Sequence, residues 1–195
     1  MPMIRETIVT TMNAAGAVHI TPFGIIADGE GWVIAPFHPS VTIDNLRAVP
    51  FAVASATDDV RVFAGCLTGR RDWPTAPSDR VPVPRLATAL AHTELAITGV
   101  TEDAQRPRFH CRVVHRAAHA PFEGFNRAQA AVVEAAILVS RLDMLPRKQI
   151  EQEMAYLASA VRKTAGPSEQ QAWDWLVERV RTQYPDGELR IGSRE

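Results

Sequence analysis

The segment HITPFG, from His19 to Gly24, ends a run of alternating polar and apolar residues that indicates a β-strand. Proline has no amide hydrogen to donate to a sheet, and glycine weakens a strand interior. Pro22 and Gly24 therefore predict either a bend such as a β-bulge or a place where a ligand approaches the backbone. His19 is interpreted either as a satisfied strand residue or as one that points at that ligand.

The residues around this segment predict a β-rich N-terminal part. Turn sequences such as residues 13–16 and 28–31 separate runs rich in β-branched residues. Six or seven short strands of this kind are typical of a barrel or sandwich. Eight runs supply these six or seven strands: residues 5–12, 17–21, 24–27, 32–37, 51–57, 60–67, 94–100 and 108–114. The proline-rich residues 72–85 predict a loop that crosses the outside of the barrel or covers a site.

The pattern changes to a helical period after Phe125. Asn126 is a candidate N-cap with Gln129 as its capping-box partner, and a second helix is expected between Pro146 and Gly166. A third begins with Ser168 and Gln171 as cap and box, and the tail after Pro185 is expected to fray. The sequence thus predicts an α+β protein with domains at residues 1–120 and 121–195.

The composition excludes several classes of function. The chain has 195 residues, 46% of them hydrophobic, and a formal net charge of −1, which predicts a real core but no nucleic-acid or membrane partner. Cys66 and Cys111 match no metal or redox spacing and are interpreted as buried small side chains. Without a signal peptide or an apolar span, a cytoplasmic protein is expected.

The familiar catalytic motifs are also missing. The sequence has no Walker loop, no dinucleotide glycine triplet and no nucleophile elbow, which disfavours a Rossmann-type dehydrogenase and a hydrolase. His115 and His119 have a spacing that binds metals in helices, but they follow a predicted strand. We interpret them as surface loop histidines and expect no metal site.

The segment FHPSVTIDNL, from Phe37 to Leu46, carries the best ligand signal. Ser40 is placed to cap a short helix whose first amides would hold a phosphate without net positive charge. Thr42 adds a hydroxyl, Asn45 an amide and His38 a donor or charge. The alternative is that Ser40 only caps the helix and Asp44 only complements its dipole.

The order of HITPFG, a strand, FHPSVTIDNL and PFAVAS resembles the FMN-binding split-barrel superfamily of flavin reductases and pyridoxamine-phosphate-oxidase-like proteins. Together with RETIVTTMNAAGAVHITPFG and FEGFNRAQAAVVEAAI, it is similar to a narrower family, the domain of unknown function 447. The resemblance covers most of the chain and implies a flavin-binding split β-barrel with a C-terminal helical subdomain. The first strand has no clear Arg-x-x-x-Lys pattern, which speaks against pyridoxamine-phosphate oxidation.

The resemblance also implies a site and a cofactor. FMN would bind at the interface of a homodimer, with its phosphate at Ser40 and Thr42 and with Asn45 and His38 supporting that loop. The isoalloxazine edge would lie along residues 21–24, which are Thr21, Pro22, Phe23 and Gly24. Asn126 and Arg127 would reach the partner's flavin, or are simply a cap and a surface cation.

A flavin carries the redox chemistry itself, so no catalytic acid or base is assigned. The expected function is a flavin-dependent oxidoreductase that acts on a small molecule such as a pterin or another flavin. The alternatives are a flavin carrier or sensor without turnover and an interaction module that has lost its ligand.

Overall fold

In the computed structural model, which describes residues 2–185, eight strands lie between Ile4 and Ala118. Six of them close a barrel in the order β1-β2-β3-β8-β7-β4, and β5 and β6 form a separate ribbon. A short helix, α1, follows β3. The elements are β1 (Ile4–Met12), β2 (Val18–Asp28), β3 (Gly31–Ile34), α1 (Val41–Ala48), β4 (Phe51–Ala56), β5 (Thr75–Ala76), β6 (Arg85–Leu86), β7 (Ala91–Thr101) and β8 (Arg108–Ala118).

Alternate residues of the barrel strands point inward, because side chains alternate between the two faces of a strand. The inward positions bury large apolar side chains, among them Val9, Ile34, Leu95 and Phe109. Ile43 and Leu46 of α1 belong to the same core cluster. The apolar face of α1 is therefore part of the barrel core, and this contact fixes where the helix begins.

The strand β2 is continuous through the segment that was expected to bend. Its register with β1 runs from Ile4↔Ile26 to Met12↔Val18 without a shift, so the β-bulge interpretation is wrong. On its other side β2 pairs with β3 only from Ile26 to Asp28. Pro22 is tolerated because a proline at an unpaired strand edge loses no ladder hydrogen bond.

Residues 60–67 were predicted as a strand and form a helix instead, α2 (Val60–Leu67). The β-branched residues of this segment have a strand preference that packing overrides, as is common for short apolar runs. Asp59 caps the helix by accepting the Arg61 amide. The buried residues Val60, Phe63 and Ala64 follow the helical i, i+3, i+4 spacing, which is the signal that the prediction missed.

The helix α2 belongs to a second compact unit, made of residues 58–71 and the chain from Glu123 onward; the barrel unit contains residues up to Thr57 and residues 72–122. The remaining helices of the second unit are α3 (Arg127–Val139), α4 (Arg147–Thr164) and α5 (Pro167–Gln183). The α+β class is thereby confirmed. The domain limits 1–120 and 121–195 stay a prediction.

Of the helix starts predicted for α3, α4 and α5, the first two agree with the structure. Asn126 caps α3, and Pro146 precedes α4 as expected. The cap predicted for α5 is wrong, because Gly166 is its N-cap and Glu169 its capping-box partner. The proline at residue 167 lies in the first turn, where its missing N–H is not needed for a helix hydrogen bond. The helix therefore begins two residues earlier than predicted.

None of the described helices combines the length and the apolarity that crossing a membrane requires. The tail expected to fray lies, from residue 186 on, outside the described residues.

Candidate functional site

The N-terminus of α1 presents backbone amides beside a half-exposed hydroxyl. The Ser40 side chain accepts a hydrogen bond of 3.2 Å from the Thr42 amide, which confirms Ser40 as the N-cap. The Ser40 carbonyl accepts from the Ile43 amide at 3.0 Å. Within residues 2–185, no group accepts a hydrogen bond from the amides of Ser40 and Val41. This end of the helix carries partial positive charge and can hold an anion.

Thr42 and Asn45 lie on the inner side of α1, where both are buried. The Asn45 amide donates to the Thr11 hydroxyl of β1 at 3.0 Å. The Thr42 hydroxyl is fully buried and has no partner within the described part of the chain. These side chains therefore join α1 to the barrel, and their contact with a phosphate stays a prediction.

A cation that the sequence did not reveal, Arg106 of the turn between β7 and β8, lies against the loop between β3 and α1. The Arg106 Nε donates to the Ala35 carbonyl at 2.8 Å, and its guanidinium lies 4.7 Å from the centre of the Phe37 ring. The exposed His38 donates its amide to the Gln105 carbonyl at 2.8 Å. Arg106 was missed because it follows Ser40 far along the chain and reaches this loop only through tertiary structure.

A turn before Arg106 fixes the position of this cation. The Asp103 carboxylate accepts hydrogen bonds from the amides of Arg106 and Gln105 at 2.7 and 2.8 Å. These bonds hold the pKa of Asp103 below its usual range, since they favour the charged carboxylate. An ionised Asp103 therefore keeps the turn that presents Arg106.

The other half of the predicted site, residues 21–24, lies in the middle of β2. Phe23 packs against the barrel core, and its carbonyl accepts from the Thr7 hydroxyl at 3.2 Å. A side chain on Gly24 would come within 2.8 to 2.9 Å of the Ile4 and Glu6 side chains, so this glycine leaves room for β1. His19 is half-buried opposite Thr11.

The two predicted segments border the same break in the sheet. The pairing of β2 with β3 stops at Ile26↔Val33, so residues 21–25 pair with no strand on that side within the described chain. The loop of residues 35–40 follows β3 past this point. Residues 21–24 and this loop therefore both lie next to the place where the pairing ends, and that they form one site stays a prediction.

A separate cleft of about 800 Å³ lies on the barrel unit, and none of the predicted site residues line it. Its polar side chains include Asp28, His110, Arg112 and Arg116. His110 Nδ1 is 3.0 Å from the Asp28 carboxylate. Its volume is typical of small-molecule sites. No local motif marks the cleft, because residues of four strands, β2, β3, β7 and β8, and of a turn build it.

Gly31 and Cys111 form part of the wall of this cleft. Any side chain at Gly31 would collide with the Cys111 carbonyl, so only glycine fits there. Burial raises the pKa of the Cys111 thiol to about 12, which keeps it protonated at neutral pH. Cys111 is therefore an inert wall residue, as the sequence predicted.

In the helical unit, the Asn126 side chain accepts from the amides of Ala128 and Gln129 and donates to the Thr164 carbonyl. Its capping role is confirmed, whereas a contact of Asn126 or Arg127 with a flavin stays a prediction. Gln129 does not complete the capping box, because its amide donates to Glu169 at 3.1 Å.

Comparison with known families gives two matches. The model of the N-terminal domain of DUF447, a protein of unknown function, matches residues 5–120, and the C-terminal DUF447 model matches residues 126–178. No curated protein matches the sequence.

Several solved structures share the fold. An FMN-bound DUF447 protein from Methanosarcina mazei superposes with a TM-score of 0.79 at 18% identity, over 92% of this chain and 96% of that one. The 2-nitrobenzoate 2-nitroreductase NbaA of Pseudomonas fluorescens gives a TM-score of 0.51 at 20% identity, over 61% and 66% of the two chains. BorF, the flavin reductase component of a bacterial two-component tryptophan halogenase, gives 0.51 at 16%, over 62% and 83%.

Proposed function

The chain belongs to the DUF447 family of proteins of unknown function, and from this premise we propose that it binds FMN and acts as a flavin-dependent oxidoreductase. The observation that carries the proposal is the FMN-bound DUF447 protein, whose fold matches this chain over nearly its whole length. The two shorter matches are named as a nitroreductase and a flavin reductase, which supports a small-molecule substrate such as a pterin or another flavin.

The residues at the start of α1 fit the phosphate of FMN. The hydroxyl of Ser40 and the amides of Ser40 and Val41 supply donors, and the helix N-terminus adds partial positive charge. Arg106, held against the same loop by the Ala35 carbonyl, supplies the full positive charge that the sequence analysis lacked. Thr42 and Asn45 hold the helix in place from the barrel side.

The edge of β2 at residues 21–25 fits the isoalloxazine ring. On the side of β3, no strand of the described chain pairs with the backbone groups of these residues. The ring carries donors and acceptors along its pyrimidine edge, which such backbone groups can bind. Pro22 removes one donor from this edge, and Phe23 supports it from the core.

Bound FMN would supply hydride and electron transfer, and the protein residues would bind and orient it. The arginines of the cleft, Arg112 and Arg116, are suited to hold a negatively charged small molecule. We assign no acid or base to a protein side chain.

A homodimer is part of the proposal. Phe37 and Val41, on either side of Ser40, expose 59% and 51% of their surface, and Val18 at the start of β2 exposes 42%. A second copy that covers these apolar side chains would also exclude water from the phosphate loop.

The first test is the visible spectrum of the purified protein, followed by titration with FMN and measurement of its fluorescence. Tight binding that NADH or NADPH then bleaches supports the oxidoreductase, whereas binding without bleaching by either donor supports a carrier or sensor. A protein that binds no FMN contradicts the proposal.

A matched pair of arginine variants tests the place of the phosphate. Arg106→Ala should weaken FMN binding about 10- to 100-fold, because a hydrogen bond to a charged group contributes about 1.5–3 kcal/mol. Arg47→Ala is the control, since Arg47 lies in the last turn of α1 and pairs with Glu102 at 2.8 Å. Equal affinity in both variants would place the phosphate elsewhere.

A further inference from the structure

Five ionisable side chains meet on the outer face of the barrel, under the loop that precedes β6. His92 and Glu94 lie on one face of β7, because residues two apart in a strand point the same way. Three further side chains meet them. They are His115 of β8, which lies opposite Glu94 in the β7–β8 pairing, Asp79 from the loop, and His119 just beyond β8.

Glu94 holds the loop against the barrel wall. Its carboxylate is fully buried and accepts three backbone hydrogen bonds, from Asp79 at 2.7 Å and from Arg80 and Val81 at 2.8 Å each. These bonds fix the turn at residues 79–81 and therefore the place of the Asp79 side chain. The two oxygens offer about four lone-pair positions, and the fourth faces His92 Nε2, 3.1 Å from Oε1.

The side chains around Asp79 are spaced for a metal ion better than for hydrogen bonds. Asp79 Oδ2 lies 3.6 Å from His92 Nε2 and 3.5 Å from His115 Nε2. Both separations exceed the usual hydrogen-bond range of about 2.7–3.2 Å. A tetrahedral Zn²⁺ with bonds of about 2.0–2.2 Å separates neighbouring ligand atoms by about 3.3–3.6 Å.

Three of these side chains offer ligand atoms close enough to share one ion. One ligand atom from each of Asp79, Glu94 and His115 falls within 4.8 Å of the others. His92 Nε2 lies 3.1 Å from Glu94 Oε1, which is a hydrogen-bond distance. We propose that Asp79, Glu94 and His115 bind a divalent transition-metal ion, Zn²⁺ by their chemistry, which ties the loop to β7 and β8.

His92 and His119 hold Glu94 in place behind the site. His92 Nε2 lies 3.1 Å from the Glu94 carboxylate, and because an ionised carboxylate only accepts, Nε2 donates this bond. His92 Nδ1 then accepts from His119 Nε2, 2.8 Å away. Such hydrogen bonds orient the carboxylates that bind metals, so His92 and His119 are positioning residues.

The charge of the site also suits a divalent cation. Two carboxylates and one neutral imidazole give a ligand set of formal charge −2, and nitrogen and oxygen ligands of this kind are those that Zn²⁺ takes. Three protein ligands leave the fourth tetrahedral position to a water molecule.

The chain offers a matched control for this cluster. His110 and Asp28 form a pair at 3.0 Å outside this cluster, and His110 also contacts the Thr101 hydroxyl at 3.0 Å. The side chains of His110 and Asp28 expose 37% and 56% of their surface, and those of His115 and Asp79 expose 33% and 56%. The control pair has a similar exposure but lacks the second histidine and the second carboxylate. Asp28→Asn with His110→Ala should therefore leave Zn²⁺ binding unchanged.

The test titrates Zn²⁺ into the chelator-treated full-length protein by calorimetry. We expect one tight equivalent in the wild type and in the control double variant. Asp79→Asn with His115→Ala should weaken binding at least about 100-fold, because loss of an outer-shell partner alone costs about 10- to 100-fold. His119→Ala should lose about 10- to 100-fold, with a Co²⁺ spectrum that still shows tetrahedral geometry.

The thermal midpoint gives an independent readout. Saturating Zn²⁺ should raise it in the wild type and in the control, but not in the Asp79 and His115 double variant, because only binding to the folded state stabilises. Wild-type binding no tighter than that of the double variant, or equal loss in the control, would overturn the proposal. Both ligand residues replaced are partly exposed, so this variant is expected to fold.

Discussion

The helices α1 and α2 have the same length and the same kind of cap but different surroundings. Each has eight residues, and Ser40 and Asp59 each accept the amide two positions on at 3.2 Å. In α2 the capping carboxylate is neutralised within the helix, because the Arg61 guanidinium donates two bonds of 2.8 Å to it. In α1 the cap is neutral.

The difference teaches that a cap by itself does not identify an anion site. The cap of α2 brings its own negative charge and its own cation, so nothing further is needed there. The cap of α1 is neutral, and although Asp44 lies in the first turn of this helix, a cation from a distant turn, Arg106, lies against the loop that leads to it. Its charge surroundings, not its cap, favour α1 as the phosphate site.

The largest effect is expected in the core of α2. Phe63 is buried, and Phe63→Ala should lower the free energy of unfolding by about 3–5 kcal/mol because it leaves a cavity. Urea unfolding measures the change. The control is Phe37→Ala before α1, which removes an exposed ring and should cost less than about 1 kcal/mol. Similar losses in both would mean that Phe37 is also a core residue.

The two helices also differ in how far the sequence predicts them. The start of α1 was predicted correctly, since Ser40 follows a strand and precedes a polar segment. The strand predicted for α2 was wrong, because the strand preference of Val60, Val62 and Phe63 was given more weight than the helical spacing of the buried residues. Contacts with α3 and α5 decide its conformation, and these lie far away in the sequence.

The next test compares the two caps directly. Ser40→Ala should weaken FMN binding about 10- to 100-fold, since the hydroxyl and the helix start that it orders face the charged phosphate. Asp59→Ala removes the matching cap of α2 and should leave the affinity unchanged. Both should lose about 1 kcal/mol of stability. An equal loss of affinity would show that capping acts only through the fold.

The candidate site could be predicted only in part. The local sequence predicted the N-cap at Ser40 and a ligand-contacting segment at residues 21–24, because strand and helix periods are local properties. It could not place Arg106, nor could it show that Thr42 and Asn45 point into the barrel. His115 was wrongly taken for a loop residue, because it lies in β8. His119 does lie in the loop beyond β8, but its contact with His92 of β7 could not be predicted from the local sequence.

A smaller effect is expected at Asn45. Its amide is buried and donates to the Thr11 hydroxyl, whereas α2 buries only apolar side chains and glycine. Asn45→Ala should lower the free energy of unfolding by about 1–3 kcal/mol, because it leaves a buried polar group unpaired. The double variant with Thr11→Val should recover part of this loss. No recovery would indicate that Asn45 acts through another contact.

The smallest effect is expected at Thr42, where the two roles proposed for α1 separate most clearly. Thr42→Val keeps the shape of the side chain and removes a buried hydroxyl that has no partner in the described structure. Stability should stay the same or rise by up to about 1 kcal/mol, since an unpaired buried hydroxyl is unfavourable. If Thr42 only packs α1 against the barrel, FMN affinity should change less than about 2-fold. A loss of about 10-fold or more would mean that the hydroxyl turns to the phosphate when FMN binds, and α1 would then differ from α2 in its side chains as well as in its surroundings.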